Sequence, residues 1–174
     1  MAQADKPIVG IVMGSDSDWP TMKGCFETLQ EFSLPCEVRV LSAHRAPAAV
    51  ADYAGSAQQR GLKVLIGAAG MAAHLAGTLA AQSTLPVIGV PIASGTLQGV
   101  DALLATVQMP PGVPVATVGI GSAGAKNAAI LAVQILALAD KTLAEKLNQH
   151  KKKLAESVEK KDARLQNELN NNDS

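Results

Sequence analysis

Five short apolar runs, each followed by a segment with helical spacing, organise the first 140 residues of the chain. Except for the second, which alternates, the runs are continuous and rich in β-branched residues, as in strands buried on both faces. The predicted strands are 7–14, 36–43, 63–69, 85–93 and 113–121. The predicted helices are 15–33, 46–61, 71–83, a helix within 96–110, and 122–140.

Five strand–helix repeats with connections of this length predict an α/β fold, because the crossovers must return each strand parallel to the last. We expect a three-layer αβα sandwich with a doubly wound, parallel, five-stranded sheet of flavodoxin-like type and strand order 2-1-3-4-5. Ligands of such sheets bind beyond the carboxyl ends of the strands, near the switch point between strands 1 and 3. The candidate loops are therefore 14–20, 42–47, 67–74, 91–99 and 119–127.

The tail differs from the rest of the chain in charge and spacing. Residues 141–174 contain eight of the 15 Lys and Arg residues, and their apolar residues fall on one narrow helical stripe. That stripe predicts a helix over 141–165 that packs on a neighbouring subunit, the alternative being a solvated, frayed helix. We expect a single domain over 1–174 with its core at about 7–140, and disorder over 166–174.

Composition narrows the classes of function. The net charge is zero and aromatic residues make up 2% of the chain, which argues against a nucleic-acid-binding face. The sequence contains no uninterrupted apolar window long enough to span a membrane. It begins with no secretory signal, and Cys25 and Cys36 lack metal-site spacing, so we expect reduced thiols in a cytoplasmic protein.

The loop 14–20, "GSDSDWP", places small polar residues where a strand passes into a helix. Ser15 and Ser17, with the backbone N–H groups of a helix N-terminus, could hold a phosphate. Asp18 would repel phosphate, so a ribose hydroxyl is its expected partner. The equally weighted alternative is that Asp18 only caps the helix and the serines form the turn. The loop lacks the glycine patterns of dinucleotide and triphosphate sites.

The loop 42–47, "SAHRAP", combines a proton-transfer group with a cation in a region poor in cations. His44 could give and take a proton near neutral pH, although a lone loop histidine is more often structural. The planar guanidinium of Arg45 suits bidentate binding of phosphate. His74 stands among alanines after Gly70, so it is either a core histidine bonded to a carbonyl or a substrate contact.

Five blocks in order, "GSDSDW", "SAHR", "G-x-AAHL", "PVIGVP" and "VQMPPGVPVATVGIGSAGAKNAA", resemble one family over about residues 7–140. The chain resembles the bacterial N5-carboxyaminoimidazole ribonucleotide (N5-CAIR) mutases, class I of the aminoimidazole ribonucleotide (AIR) carboxylase family. The resemblance implies a cofactor-free and metal-free isomerase of purine biosynthesis. Its substrate loses carbon dioxide from nitrogen, and ring carbon C4 captures it to give 4-carboxy-5-aminoimidazole ribonucleotide (CAIR).

The resemblance also implies residue roles. His44 matches the acid/base of the family, Arg45 the phosphate ligand and Asp18 the ribose ligand. Other matched substrate-binding positions are Ser15, Ser17, Ser42, Gly70, His74 and Leu75. The family forms a homo-octamer with sites between subunits, which would give the tail its packing surface.

Four positions depart from the family pattern. Ala68 and Met71 replace glycines, Ala76 replaces a proline, and Ala93 alters the usual "VPVQS". A side chain at Met71 could crowd a loop that normally brings bare backbone to the substrate.

Three rival functions remain. A carboxylase that adds free carbon dioxide to AIR would read "SAHK" and "GRSN" in the second and third loops. A non-catalytic FMN-binding module would need aromatic residues around the flavin. A receiver domain would need an aspartate at the end of the third strand.

Overall fold

A parallel five-stranded sheet organises the fold. The computed structural model describes residues 6–172, without the side chain of Asn172. The strand order is β2-β1-β3-β4-β5, which confirms the predicted doubly wound α/β arrangement. The strands are β1 Val9–Met13, β2 Cys36–Val40, β3 Val64–Gly70, β4 Val87–Ile92 and β5 Ala116–Thr117.

Helices follow each strand and cover both faces of the sheet. They are α1 Trp19–Glu31, α2 Pro47–Ser56, α3 Leu75–Gln82, α4 Val100–Val107 and α5 Gly121–Ala137. A single 3-10 turn, Asp16–Asp18, precedes α1. The side chain of Lys126 in α5 lies against Gly24 of α1, whereas α2 packs beside α3.

The core is built from aliphatic side chains and close backbone approaches. Every residue of β1 and β4 and the first five of β3 are buried, as the continuous apolar runs predict. Each fully buried aliphatic side chain contributes about 1.5–3 kcal/mol. Glycine lets the helices approach the sheet: a Cβ at Gly67 would lie 3.0 Å from the Cα of Ala76 in α3.

The outer strands differ from their predicted lengths. β5 has two residues rather than nine, because Pro114 lacks an N–H group and Gly119 and Gly121 interrupt the strand pattern. β2 lies at the other edge, and its carboxyl half is exposed, with Val40 half exposed. This exposure agrees with the alternating pattern of the predicted second strand, since alternation is typical of a strand with one solvated face.

Two compact units, 1–133 and 134–174, divide the chain, so a single domain stays a prediction. The second unit contains helix α6, Lys141–Asn172. The expected disorder is wrong for 166–172, which are helical, while 173 and 174 lie outside the described residues. An exposed Arg164–Glu168 ion pair, at i,i+4 spacing, lies where this extension begins, whereas the asparagines at its end are weak helix formers, so nothing in the structure explains their helical state.

The predicted apolar stripe is present on α6. Leu154, Val158, Leu165 and Leu169 are each more than half exposed. Within residues 6–172, no helix combines the length and hydropathy that crossing a bilayer requires.

Gly89 provides a test of the small-residue packing. A Cβ at Gly89 in β4 would overlap Cγ2 of Thr106 and lie 2.9 Å from Cγ1 of Val115. We expect Gly89→Ala to lower the free energy of unfolding by about 1–3 kcal/mol, the usual cost of overpacking, as measured by urea denaturation.

Gly55→Ala is the matched control. Gly55 lies within α2, and a Cβ there would meet no atom within 4 Å. This substitution should stabilise the fold by about 0.5–1 kcal/mol, since alanine is the better helix former. Equal unfolding free energies for the two variants would contradict the packing explanation.

Candidate active site

Four loops enclose one cavity of about 440 Å³ at the carboxyl ends of β1 to β4. All nine predicted site residues line it: Ser15, Ser17, Asp18, Ser42, His44, Arg45, Gly70, His74 and Leu75. The first four candidate loops contribute to this lining, whereas the fifth, 119–127, contributes no residue.

The loop after β1 is held by its own polar groups. The hydroxyl of Ser17 donates to Oγ of Ser15 at 2.8 Å, and the Ser17 N–H donates to Oδ1 of Asp16 at 3.0 Å. The Ser15 N–H donates to Oδ2 of Asp18 at 3.1 Å. The N–H groups of Ser15 and Ser17 are thus already bonded to carboxylates. Fewer backbone donors are therefore free to bind a phosphate in this loop than the sequence predicts.

Asp18 stands at the N-cap position of α1, yet its side chain makes no capping bond to that helix. It turns back to the Ser15 backbone and is 8% exposed. Burial raises the pKa of Asp18, as does the Asp16 charge, while hydrogen bonds from the Ser15 and Gly14 backbone oppose the rise. This bond is half of a capping box with Ser15 at the start of the 3-10 turn Asp16–Asp18, so the alternative of a capping carboxylate is supported and the ribose contact stays a prediction.

The first aromatic residue of α1 adjoins this carboxyl group in sequence. Trp19 follows Asp18 directly, and its ring packs edge-on against Phe26 with the centroids 5.8 Å apart.

Arg45 joins the loops after β1 and β2. Its Nη2 donates to the carbonyl of Gly14 at 3.0 Å, and its Nε donates to Oγ of Ser42 at 3.2 Å. The backbone N–H of Arg45 donates to the same hydroxyl. A guanidinium has five N–H donors, so these bonds orient the group and leave donors for an anion.

Two histidines meet across the cavity. Nε2 of His44 and Nδ1 of His74 are 2.8 Å apart, and the rings are nearly perpendicular with centroids at 4.9 Å. Both side chains are exposed. The alternative that His74 is a core histidine bonded to a backbone carbonyl is therefore wrong: it occupies the N-cap position of α3 and pairs with His44.

The end of β3 and the loop after β4 form the remaining wall. A Cβ at Gly70 would overlap Oγ of Ser94, so a larger residue there would require the Ser94 side chain to rotate. Ser94 lines the cavity and was missed as a site residue, although its loop was among the five candidates. Leu75 is buried at 2% exposure.

The four residues that depart from the family pattern differ in how buried they are. Ala68 in β3 and Ala76 in α3 are buried packing residues, and Ala93 is exposed without lining the cavity. Met71 alone of the four lines the cavity, with φ at +54°.

Cysteine chemistry and a metal site find no support in the described part of the chain. Burial raises the pKa of the Cys25 thiol to about 12, and burial also raises that of Cys36, so both favour the unreactive thiol form. Residues 6–172 contain no group of three His, Cys, Asp or Glu side chains arranged to hold a metal ion.

Comparison with known proteins identifies the family of the chain. The family model described as AIR carboxylase matches residues 8–157. N5-carboxyaminoimidazole ribonucleotide mutases from Synechocystis and Bacillus subtilis are each 54% identical to the chain. The alignments cover 92% of the chain and 90% of the Synechocystis protein, and 88% and 94% for B. subtilis.

A solved structure extends the agreement to the fold. The crystal structure of Treponema denticola PurE superposes with a TM-score of 0.80 at 28% identity, covering 91% of this chain and 98% of that one. The chain belongs to the AIR carboxylase family.

Proposed function

We propose that this chain is an isomerase that converts N5-CAIR to CAIR in purine biosynthesis, with no cofactor or metal. The observation that carries the proposal is that His44, Arg45 and Asp18 line the same cavity. The reaction needs an acid/base, a phosphate ligand and a hydrogen-bond acceptor for a ribose hydroxyl, and these three residues can supply them in that order. The mutase names of relatives with 50–54% identity support it.

The reaction is an exchange of one proton and one carboxyl group. The bond from nitrogen to the carboxyl carbon breaks, its electron pair stays on nitrogen, and His44 supplies the proton that nitrogen takes up. Carbon C4 then attacks the released carbon dioxide, and His44 takes back the proton that C4 loses. Nothing is oxidised or reduced, so one histidine can serve both halves.

The contact with His74 limits which ring nitrogen of His44 carries a proton. The two facing nitrogens share one hydrogen bond, so one carries the proton and the other accepts it. The tautomer of His44 is therefore coupled to that of His74.

The remaining roles follow from position. Arg45 binds the phosphate, because its guanidinium is exposed, oriented by Gly14 and Ser42, and in the cavity. Asp18 accepts a ribose hydroxyl. Ser15, Ser17 and Ser42 offer hydroxyl groups to the nucleotide, while Gly70 and Leu75 shape the wall beside the ring.

Assembly into a homo-octamer, at work in the cytoplasm, is part of the proposal. Besides the α6 stripe, the α4 region exposes an apolar face made of Leu97, Val100, Leu104 and Val107, each 48–61% exposed. Apolar faces of this extent mark interaction sites, and closed symmetric assemblies are the usual outcome. The free thiols of Cys25 and Cys36 suit a reducing compartment.

Turnover at low bicarbonate tests the activity. We expect the protein to convert N5-CAIR to CAIR without added bicarbonate, and His44→Asn to lower the rate by about 100-fold or more, since general acid–base catalysis contributes about 10²–10⁴-fold. Product formation is measured by chromatography with the substrate supplied fresh.

The control is the fold of His44→Asn, whose thermal midpoint should match the wild type because His44 is exposed. Turnover seen only with AIR plus bicarbonate would instead establish the free-carbon-dioxide carboxylase. A near-wild-type rate in His44→Asn would remove the histidine from proton transfer.

Arg45→Ala tests phosphate binding. We expect KM to rise about 10- to 100-fold with a smaller change in kcat, since a hydrogen bond to a charged group contributes about 1.5–3 kcal/mol. Steady-state kinetics measures both constants. Arg39→Ala is the matched control, because Arg39 is exposed in β2 and does not line the cavity. An unchanged KM in Arg45→Ala would exclude the phosphate role.

Leu165→Glu tests whether the α6 stripe is an assembly surface. We expect light scattering to give eight times the 17.8 kDa chain mass for the wild type and a lower mass for this variant, because a buried charge opposes association. Ala163→Glu adds the same charge about 160° away around the helix and should leave the mass unchanged. Equal masses for both variants would contradict the role of the stripe.

A further inference from the structure

A carboxylate at the rim of the cavity holds the hydrogen-bond donors of the loop after β1. Oδ1 of Asp16 accepts from the Ser17 N–H at 3.0 Å and from the Ser15 hydroxyl at 3.2 Å. Asp16 is exposed and does not line the cavity, whereas both serines do. The carboxylate therefore reaches these donors from outside the space that a ligand fills.

Both serine hydroxyls direct their protons to groups of this loop. The Ser17 hydroxyl donates to Oγ of Ser15 at 2.8 Å, and the Ser15 hydroxyl donates to Asp16. A hydroxyl has one proton to donate, so neither serine has a second one for another acceptor. The oxygens of a phosphate are strong acceptors and need these same donors. A phosphate that binds in this loop must therefore take them from Asp16.

The charges around the loop increase this competition. Of the described residues that line the cavity, Arg45 alone is a lysine or arginine. It donates to the carbonyl of Gly14, so its positive charge lies beside the same loop. Burial raises the pKa of Asp18, and the Asp16 charge adds to that rise, which shows that the charge of Asp16 is felt within the site. A phosphate that Arg45 attracts is thus repelled by Asp16.

We propose that Asp16 competes with the phosphate of the nucleotide for the donors of Ser15 and Ser17, and so limits the affinity of the site. This role rests on the proposed isomerase function, in which the phosphate binds beside Arg45. The carboxylate holds the donors until the phosphate replaces it, and it takes them back when the product leaves. Asp16 therefore determines how tightly the nucleotide binds without contacting the reacting atoms.

Two ligands that differ only in the phosphate test this role. CAIR and its nucleoside, which keeps the carboxylate and lacks the phosphate, are titrated into the full-length protein by isothermal calorimetry. We expect Asp16→Asn to bind CAIR about 3- to 10-fold more tightly than the wild type, because the amide keeps the shape of the side chain and removes its charge. The nucleoside should bind equally, or equally undetectably, to both proteins. The KM for N5-CAIR should fall in the variant as well.

Asp52→Asn is the matched control, because Asp52 is exposed on α2 and does not line the cavity. It removes the same charge from the chain and should leave the affinity for CAIR unchanged. A purely structural role of Asp16 in the turn would instead lower the thermal midpoint of Asp16→Asn and weaken the binding of CAIR.

Unchanged or weaker CAIR binding by Asp16→Asn, with a wild type that converts N5-CAIR, overturns this role alone. Equal tightening of CAIR and its nucleoside does the same, because the effect would then not depend on the phosphate. A wild type that neither binds CAIR nor forms it from N5-CAIR overturns the isomerase function together with this role. The two failures are therefore distinguishable.

Discussion

The pairing of β1 with two parallel neighbours is the constraint on which the site depends. Met13 lies opposite Val40 of β2 on one side and Ala68 of β3 on the other. β1 and β2 end at Met13 and Val40 and β3 ends two residues after Ala68, so the three segments that follow leave the sheet side by side at its carboxyl ends. Arg45 then needs only one bond, to the Gly14 carbonyl, to join two of those loops. The chemistry of the cavity is thus a consequence of strand order.

Strand order and the site loops could be predicted because each depends on a pattern that repeats along the chain. Continuous apolar runs with helical connections leave few topologies, and a known topology places the loops. The short length of β5 was not predicted, because the apolar pattern does not show that Pro114 lacks the N–H group a strand would donate. Ser94 and the contact between His44 and His74 join residues distant in sequence, so only the folded chain reveals them.

Local and tertiary forces also explain the two errors of detail. The last residues of the chain are polar and rich in asparagine, which predicts disorder, but α6 continues to Asn172 as an extension of the helix before it. The N-cap position of Asp18 was read correctly from sequence. Its hydrogen bond was not, because the 3-10 turn before α1 makes Asp18 the third residue of a capping box with Ser15. Position along the chain is easier to predict than the partner of a side chain.

The scarcity of aromatic residues gives the site a spectroscopic marker of its own. Trp19 is the single tryptophan of the chain, and it follows directly on Asp18, which lines the cavity. Its ring rests against Phe26 on α1, so it is held at the junction between the loop and the helix. All indole emission of the protein therefore originates beside the proposed ribose contact. Emission from this one indole therefore reports on the junction of loop and helix next to Asp18, without a label and without background from other tryptophans.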